Sequence, residues 1–289
     1  MNPFTGGCHF SAGCDRFTKQ SGNCPQISAS SPRDLTFTAL KKKQRLFEGS
    51  NLHVVAPSHW LSREAQRSVP FGNAASHRVI PYGLETELFT PVEQLAARRA
   101  LGLDSTKRIV LFGAASGANR RKGFHCLLES WGQLPSENLL GVMFGGGDAP
   151  DIPSGQAEIQ HLGFIHDPER LSLLYSAADL FVLPSLEDNL PQTGMEAMAC
   201  GTPVAAFDAG GIPDYVRPGE TGVLARTGDA NDLARQIRGL LDQTEQMREM
   251  GSRAREMILR EYSQPVESAC YAEFLQNLID GGAAGSQAA

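Results

Sequence analysis

Residues 180–203 constrain the fold of this chain more than any other segment. The apolar run Leu180, Phe181, Val182 and Leu183 has the length of a buried strand, and Asn189 with Pro191 supplies the chemistry of a helix N-terminus. Met195, Met198 and Ala199 give the following helix an apolar face, and Gly201 ends it. Asp188 therefore falls in the strand-to-helix turn, and Glu196 lies roughly one and a half turns into the helix. A free helix N-terminus at the carboxyl end of a parallel strand is an anion site, here with a carboxylate on either side of it.

The same rhythm runs through the second part of the chain. Strands are predicted over 109–112, ending at Gly113, over 141–144, running into Gly145, Gly146 and Gly147, and over 159–164, 180–183 and 204–207, the last before Gly210 and Gly211. Helices are predicted between them over 123–131, 168–178 and 191–200. Strands separated by helices of this length give an α/β fold with a parallel sheet covered on both faces. After residues 222–225, Asp229 caps a helix with Leu233, Ile237, Leu240 and Leu241 on one face. Two more helices follow, the last over 265–279, and 281–289 is expected to be a disordered tail.

Residues 1–84 differ. A polar, loop-rich stretch to Arg33 precedes a helix over 35–47, a strand over 52–57, a helix near Trp60 and a strand over 78–81. One such unit is too little for a self-sufficient α/β sheet and reads as the tail end of a domain. The expected division is a partial N-terminal domain (1–84), a ligand-binding C-terminal domain (85–264), a helix (265–280) packing back toward the N-terminal part, and the tail.

The net charge of −6 argues against a nucleic-acid surface, and the clusters Lys41 to Lys43 and Arg120 to Lys122 are too short and too far apart to overturn that. No apolar run approaches the ~18 residues of a spanning helix, and Met1-Asn2-Pro3 does not open a signal peptide, so a cytoplasmic protein without a transmembrane segment is expected. Six cysteines in 289 residues form no disulfide framework; Cys126, Cys200 and Cys270 lie in helical patterns, where a free cysteine behaves as a small hydrophobe.

The strand ends carry Gly113, Gly145 to Gly147, Asp188 and Gly210-Gly211, all expected on the sheet edge where open α/β folds bind ligands. Lys122, flanked by Arg120 and Arg121, lies close to the first of these in sequence. Each feature alone could be a tight turn or a solvated surface; together, a cation and a helix N-terminus are what a diphosphate needs. A nicotinamide dehydrogenase is disfavoured, because no G-x-G-x-x-G follows the first strand of this part and no acid lies at the ribose-reading offset.

The chain resembles the retaining, nucleotide-sugar-dependent glycosyltransferases of family four, which have the two-domain GT-B architecture. Within them it is similar to bacterial enzymes of cell-surface polysaccharide assembly, whose Trp-Pro-Phe-Thr-Gly-Gly-Cys-His segment is matched by residues 3–9. Further matches are Pro57-Ser58, Ile80-Pro81-Tyr82-Gly83 with Phe89, Arg121-Lys122-Gly123, Gly163, and Gly210-Gly211-Ile212-Pro213. The family's two-glutamate motif, with seven residues between the acids, maps onto Asp188 and Glu196. By this resemblance Glu196 binds the ribose hydroxyls and Asp188 the donor sugar. Lys122 neutralises the leaving diphosphate, with Arg121 beside it. Backbone N–H groups near Gln192 and Thr193 hold the distal phosphate, with Leu190 next to them, and the Gly163-Phe164-Ile165 turn brackets the base near Gly113. No metal or cofactor is implied. The partners are a nucleotide-sugar donor and a saccharide or lipid-linked acceptor, which leaves room for peripheral contact with the inner face of a membrane.

Three departures qualify the match. The first acid is Asp188 rather than Glu, which leaves Glu187 as the other candidate for its role. The position at which many relatives carry an Arg, eight residues before Lys122, is Ala114, so Arg120 or Arg121 would have to share the leaving-group charge. Relatives also begin with an acceptor-binding Rossmann-like domain that ends in a His-Asp pair just ahead of the segment Met1-Asn2-Pro3 resembles; most of that domain is expected to be missing here. The implied reaction is transfer of a sugar to an acceptor hydroxyl with retention. A catalytically weak nucleotide-sugar-binding module is the alternative. Cys8, Cys14 and Cys24 resemble a cysteine-rich loop of the subgroup whose fourth position is Ser21, and zinc binding with His9 completing the set, one disulfide and free thiols all remain open.

Overall fold

The N-terminal part builds its own small core around aromatic residues from its loop-rich leader. The computed structural model describes residues 1–114, 119–146 and 150–286, which divide into two units, Met1–Pro81 and Tyr82–Ala289. In the first unit, helix α1 (Leu35–Phe47) starts at Asp34, whose carboxylate accepts from the N–H groups of Thr36, Phe37 and Cys24 and so ties the leader to the helix. Strand β1 (His53–Ala56), helix α2 (His59–Arg67) and strand β2 (Ser76–Val79) follow, with β1 and β2 paired in parallel. Phe4 packs on Phe17 and Phe71 with ring centroids 5.8 Å apart in both pairs, and Leu40, Val54 and Ala65 complete the cluster. The second strand lies earlier than 78–81 because pairing with β1 sets its register, Val79 facing Ala56.

The second unit opens with a helix that sequence periodicity did not indicate, α3 (Gln94–Leu101), capped by the Glu93 carboxylate. Strand β3 (Arg108–Ala114), helix α4 (Phe124–Trp131), β4 (Leu139–Gly145), β5 (Glu158–His161), α5 (Pro168–Ala177), β6 (Leu180–Leu183), α6 (Gln192–Ala199), β7 (Val204–Phe207), β8 (Gly222–Ala225) and α7 (Ala230–Leu241) continue it. Helices α8 (Thr244–Glu261) and α9 (Gln264–Ser286) close the chain. The six strands are parallel in the order β5-β4-β3-β6-β7-β8. The chain thus moves outward from β3 to β5, returns to β6 beside β3, and moves outward again. That reversal puts the crevice where such sheets bind ligands beyond the carboxyl ends of β3 and β6. Central strand residues such as Val110, Val182 and Ala205 are fully buried, as parallel strands covered on both faces must be.

Other boundaries differ from expectation as well. Strand β5 stops at His161, because Gly163 takes a left-handed φ of +70° and turns the chain, its carbonyl accepting from Gly145 N–H. Residues 82–84 belong to the second unit: Leu84 N–H donates to Tyr262 O (2.8 Å) and Leu84 O accepts from Gln264 N–H (3.1 Å). Helix α9 runs to Ser286 instead of giving way to a tail after Asp280. Each glycine there costs about 1 kcal/mol relative to alanine, too little to stop a helix already nucleated over many turns. Residues 287–289 and Gly147 of the expected glycine cluster lie outside the described residues.

Candidate functional site

The loop between β6 and α6 is held from two sides. The short helical turn Arg120–Lys122 is strapped to it by Leu186 N–H donating to Arg121 O (2.8 Å) and by the Arg121 guanidinium donating to Glu187 O (2.8 Å). The turn ends at Gly123, whose φ of +67° is left-handed and where a Cβ would lie 1.8 Å from Pro184 O. On the other side Gly211 N–H donates to Asp188 O (3.0 Å), and at Gly210, with φ +58°, a Cβ would sit 1.8 Å from that same oxygen. Gly210→Ala is therefore expected to cost about 1–3 kcal/mol in strain and displacement and to shift the Asp188 loop. A Gly210→Ala variant that melts like wild type would show that the loop has room to spare.

Between these anchors, Asp188 Oδ2 lies 2.6 Å from Lys122 Nζ and 3.2 Å from Arg121 Nη1, and accepts from Ser185 Oγ at 3.3 Å. Its Oδ1 accepts from Asn189 N–H at 3.1 Å. Two cations on one carboxylate leave a net positive charge at the mouth of the crevice. Helix α6 adds to it. Its N-cap is Pro191, which offers no side-chain acceptor, and no acceptor for the backbone N–H groups of Gln192 and Thr193 is found among the described residues. The fully buried Tyr215 donates its hydroxyl proton to Pro191 O (3.1 Å) and fixes where the helix begins.

Two cavities meet here. One of about 440 Å³ is lined by Tyr82, Lys122, Leu190, Pro191, Gln192, Thr193 and Glu196. The other, about 210 Å³, is more apolar and is lined by Gly113, Phe144, Gly145, Phe164, Ile165 and Ser185 among others, and it shares Lys122 and Thr193 with the first. Phe164 stands at the second cavity, 66% exposed, with its ring stacked on His166.

Glu196 is half-buried and accepts a hydrogen bond from Tyr175 Oη at 2.7 Å. Burial raises its pKa above the usual glutamate value, and the Tyr175 hydrogen bond only partly offsets that. For an acid with a raised folded pKa, the stability contribution is complete below its unfolded pKa and is lost as pH rises through the folded one. Glu196→Gln keeps an acceptor for Tyr175 and carries no charge. It should therefore melt above wild type at neutral and alkaline pH, with the gap closing in acid. A wild-type protein as stable as the Gln variant at alkaline pH would show that the ionised carboxylate is not under strain.

The sequence model of the family described as Glycosyl transferases group 1 matches residues 93–257, more than half of the chain and all of this site except Tyr82. The chain belongs to this family. D-inositol 3-phosphate glycosyltransferase of Mycobacterium sp. (strain JLS) is 36% identical over 189 residues, which are 62% of this chain and 43% of that protein. Alpha-maltose-1-phosphate synthase of Mycolicibacterium smegmatis is 29% identical over 231 residues, 73% of this chain and 59% of that one. The chain thus spans roughly half the length of these curated relatives. Among solved structures, sucrose-phosphate synthase from Thermosynechococcus elongatus superposes with a TM-score of 0.71 at 30% identity, covering 84% of this chain and 62% of that one. The Anabaena protein HepE, solved with UDP-glucose, has the same fold, with a TM-score of 0.68 at 22% identity over 83% of this chain and 68% of its own. The α/β, GT-B-like fold with a Rossmann-like second unit agrees with the sequence-based expectation.

As a group 1 glycosyltransferase domain, the second unit gathers most of the residues singled out from sequence. Lys122, Leu190, Gln192, Thr193 and Glu196 line the larger cavity; Gly113, Phe164 and Ile165 line the smaller one. Arg121 is turned onto Asp188 and Glu187 O, and Arg120 is exposed to solvent, so of the two it is Arg121 that lies beside Lys122. Between the neighbouring acids, Asp188 is the one whose carboxylate meets Lys122. Gly163 shapes the β5 turn and lines neither cavity. Sequence reasoning assigned no site role to Tyr82, Phe144, Tyr175, Ser185 or Tyr215. Only Tyr82 carried a local signal, its place between Pro81 and Gly83 in a matched segment. In the first unit Cys8, Cys14 and Cys24 are free thiols lining one small cavity with Arg16 and Ser21. No group of three His, Cys, Asp or Glu that could hold a metal ion is found among the described residues.

Proposed function

We propose that this chain binds a nucleoside diphosphate sugar and transfers the sugar to an acceptor hydroxyl with retention, in polysaccharide or glycoconjugate synthesis. The observation that carries this reading is the Lys122–Asp188 pair, 2.6 Å apart, beside the open N-terminus of α6 in the cavity that also holds Glu196. A diphosphate fits a lysine plus free helix N–H groups, a pentose diol fits the Glu196 carboxylate, and a base fits the apolar cavity. The names of the two curated relatives and of sucrose-phosphate synthase support sugar transfer as the chemistry.

In the proposed reaction the bond between the anomeric carbon and the diphosphate oxygen breaks. Negative charge grows on the departing diphosphate, where Lys122 and the α6 N-terminus stabilise it. The acceptor hydroxyl attacks from the same face, and its proton passes to an oxygen of the leaving phosphate. Asp188 holds hydroxyls of the donor sugar and sets the position of Lys122. No cofactor beyond the donor is required. The acceptor is a saccharide or a lipid-linked saccharide, which suits peripheral work at the inner face of a membrane. No helix among the described residues is long and apolar enough to cross one.

Titration calorimetry with UDP, GDP and their adenine counterpart tests the reading. At least one should bind more tightly than millimolar, and Glu196→Ala should weaken that binding by about 1–3 kcal/mol. Failure of every nucleoside diphosphate to bind would overturn the assignment.

A further inference from the structure

Tyr82 is the first residue of the second unit, yet it lines the same cavity as Lys122, Gln192, Thr193 and Glu196. Its backbone neighbourhood is fixed. Leu84 pairs with Tyr262 and Gln264 across the junction between α8 and α9, and a Cβ on Gly83 would come within 2.6 Å of Gln264 Cα, so residues 83 and 84 lie tight against that junction. The side chain is not fixed in the same way. It is 43% exposed, and its hydroxyl has no hydrogen-bond partner among the described residues. A large aromatic side chain on an anchored backbone, with an unused donor at a polar cavity, is arranged to meet a ligand rather than to fill a core.

We propose that Tyr82 is a ligand-positioning residue of this cavity, donating its phenol proton to the pentose–diphosphate portion of a bound nucleotide. The inference rests on the nucleotide-binding reading above and adds to it a contact from outside α6 and the Arg120–Lys122 turn. The sugar–phosphate portion is specified because the cavity Tyr82 lines holds the charged and polar groups. The apolar groups suited to a base, Phe144, Phe164 and Ile165, line the other cavity. A phenol offers a hydrogen-bond donor and an apolar ring face beside Lys122 and Asp188.

The test uses the full chain, with UDP or whichever nucleoside diphosphate binds best, in wild type, Tyr82→Phe and Tyr82→Ala. Tyr82→Ala should weaken binding about tenfold and Tyr82→Phe about threefold, the scale of one hydrogen bond with and without the ring contact. Melting of the unliganded variants should match wild type. Hydrogen exchange of the peptide containing Tyr82 should slow on saturation with ligand in wild type and not in Tyr82→Ala. Unchanged affinity in both variants would overturn the proposal. So would a loss of affinity seen only together with a lowered unliganded melt while Tyr82→Phe binds like wild type, because Tyr82 would then act through packing alone. If wild type binds no nucleoside diphosphate, the nucleotide-binding reading itself fails and the proposal goes with it. Wild-type binding with insensitive Tyr82 variants sinks the proposal and leaves that reading standing.

Discussion

Arg98→Met is expected to destabilise the second unit by about 3–5 kcal/mol, the cost of breaking a buried ion pair from one side. Arg98 is 4% exposed and spends its whole guanidinium on the interior. Nε donates to Ala177 O at 2.8 Å, Nη1 to Lys107 O at 3.1 Å, and Nη2 to Asp179 Oδ2 at 2.7 Å. Asp179 Oδ2 also accepts Ile109 N–H at 2.6 Å, so the pair joins α3, the end of α5 and the start of β3 at one point. Methionine would fill much of the volume but leave the carbonyls of Ala177, Ser105 and Lys107 without this donor, and Asp179, which keeps the Ile109 N–H and the Gln94 amide, would lose its cation. Adding Asp179→Asn should return part of the loss, because the orphaned charge is then gone. Denaturant unfolding of the two single variants and the double variant measures this. A loss under about 1 kcal/mol for Arg98→Met would mean that water reaches the site and replaces the guanidinium.

The same residue shows where sequence stops being legible. Helices and strands whose inward faces are apolar were readable with the observed bounds, as at Leu35–Phe47, Leu180–Leu183 and Val204–Phe207. Helix α3 was not, because one of its two buried residues is an arginine whose partner is 81 residues away, and no periodicity announces that. The site divides in the same way. Asp188, Gln192, Thr193 and Glu196 belong to one strand-turn-helix, so their placement follows from local spacing. Lys122 was legible as a cation near a strand end, but it reaches Asp188 across 66 residues, and no local spacing announces that pairing. Tyr175, which orients Glu196, sits 21 residues before it in a helix pattern that reads only as core. Strand order, too, lies outside periodicity: the alternation of elements implies a parallel sheet, while the return of the chain from β5 to β6 beside β3 decides where the crevice opens.

Lys122→Ala should slow turnover of the preferred nucleotide sugar by about 10²–10³-fold, the range for losing one preorganised donor at a developing negative charge. The fall should appear mainly in kcat, because the charge on the diphosphate grows as the glycosidic bond breaks. Asp188 supplies the contrast. Its carboxylate lies 2.6 Å from Lys122 Nζ in the ligand-free protein and so competes with phosphate oxygens for the same cation. Asp188→Asn removes that competitor and leaves Lys122 and Arg121 in place. Free UDP should then bind as tightly as to wild type or more tightly, while turnover of the sugar donor falls because the sugar hydroxyls lose their acceptor. Lys122→Ala should weaken UDP and lower turnover together. Nucleoside diphosphate release, measured with and without an oligosaccharide or lipid-linked acceptor, reads turnover, and calorimetry reads binding. If Lys122→Ala keeps turnover within a few-fold of wild type, leaving-group stabilisation rests on the α6 N-terminus and Arg121. If Asp188→Asn weakens free UDP as strongly as Lys122→Ala does, the carboxylate serves to build the loop, and its proposed contact with the donor sugar is lost.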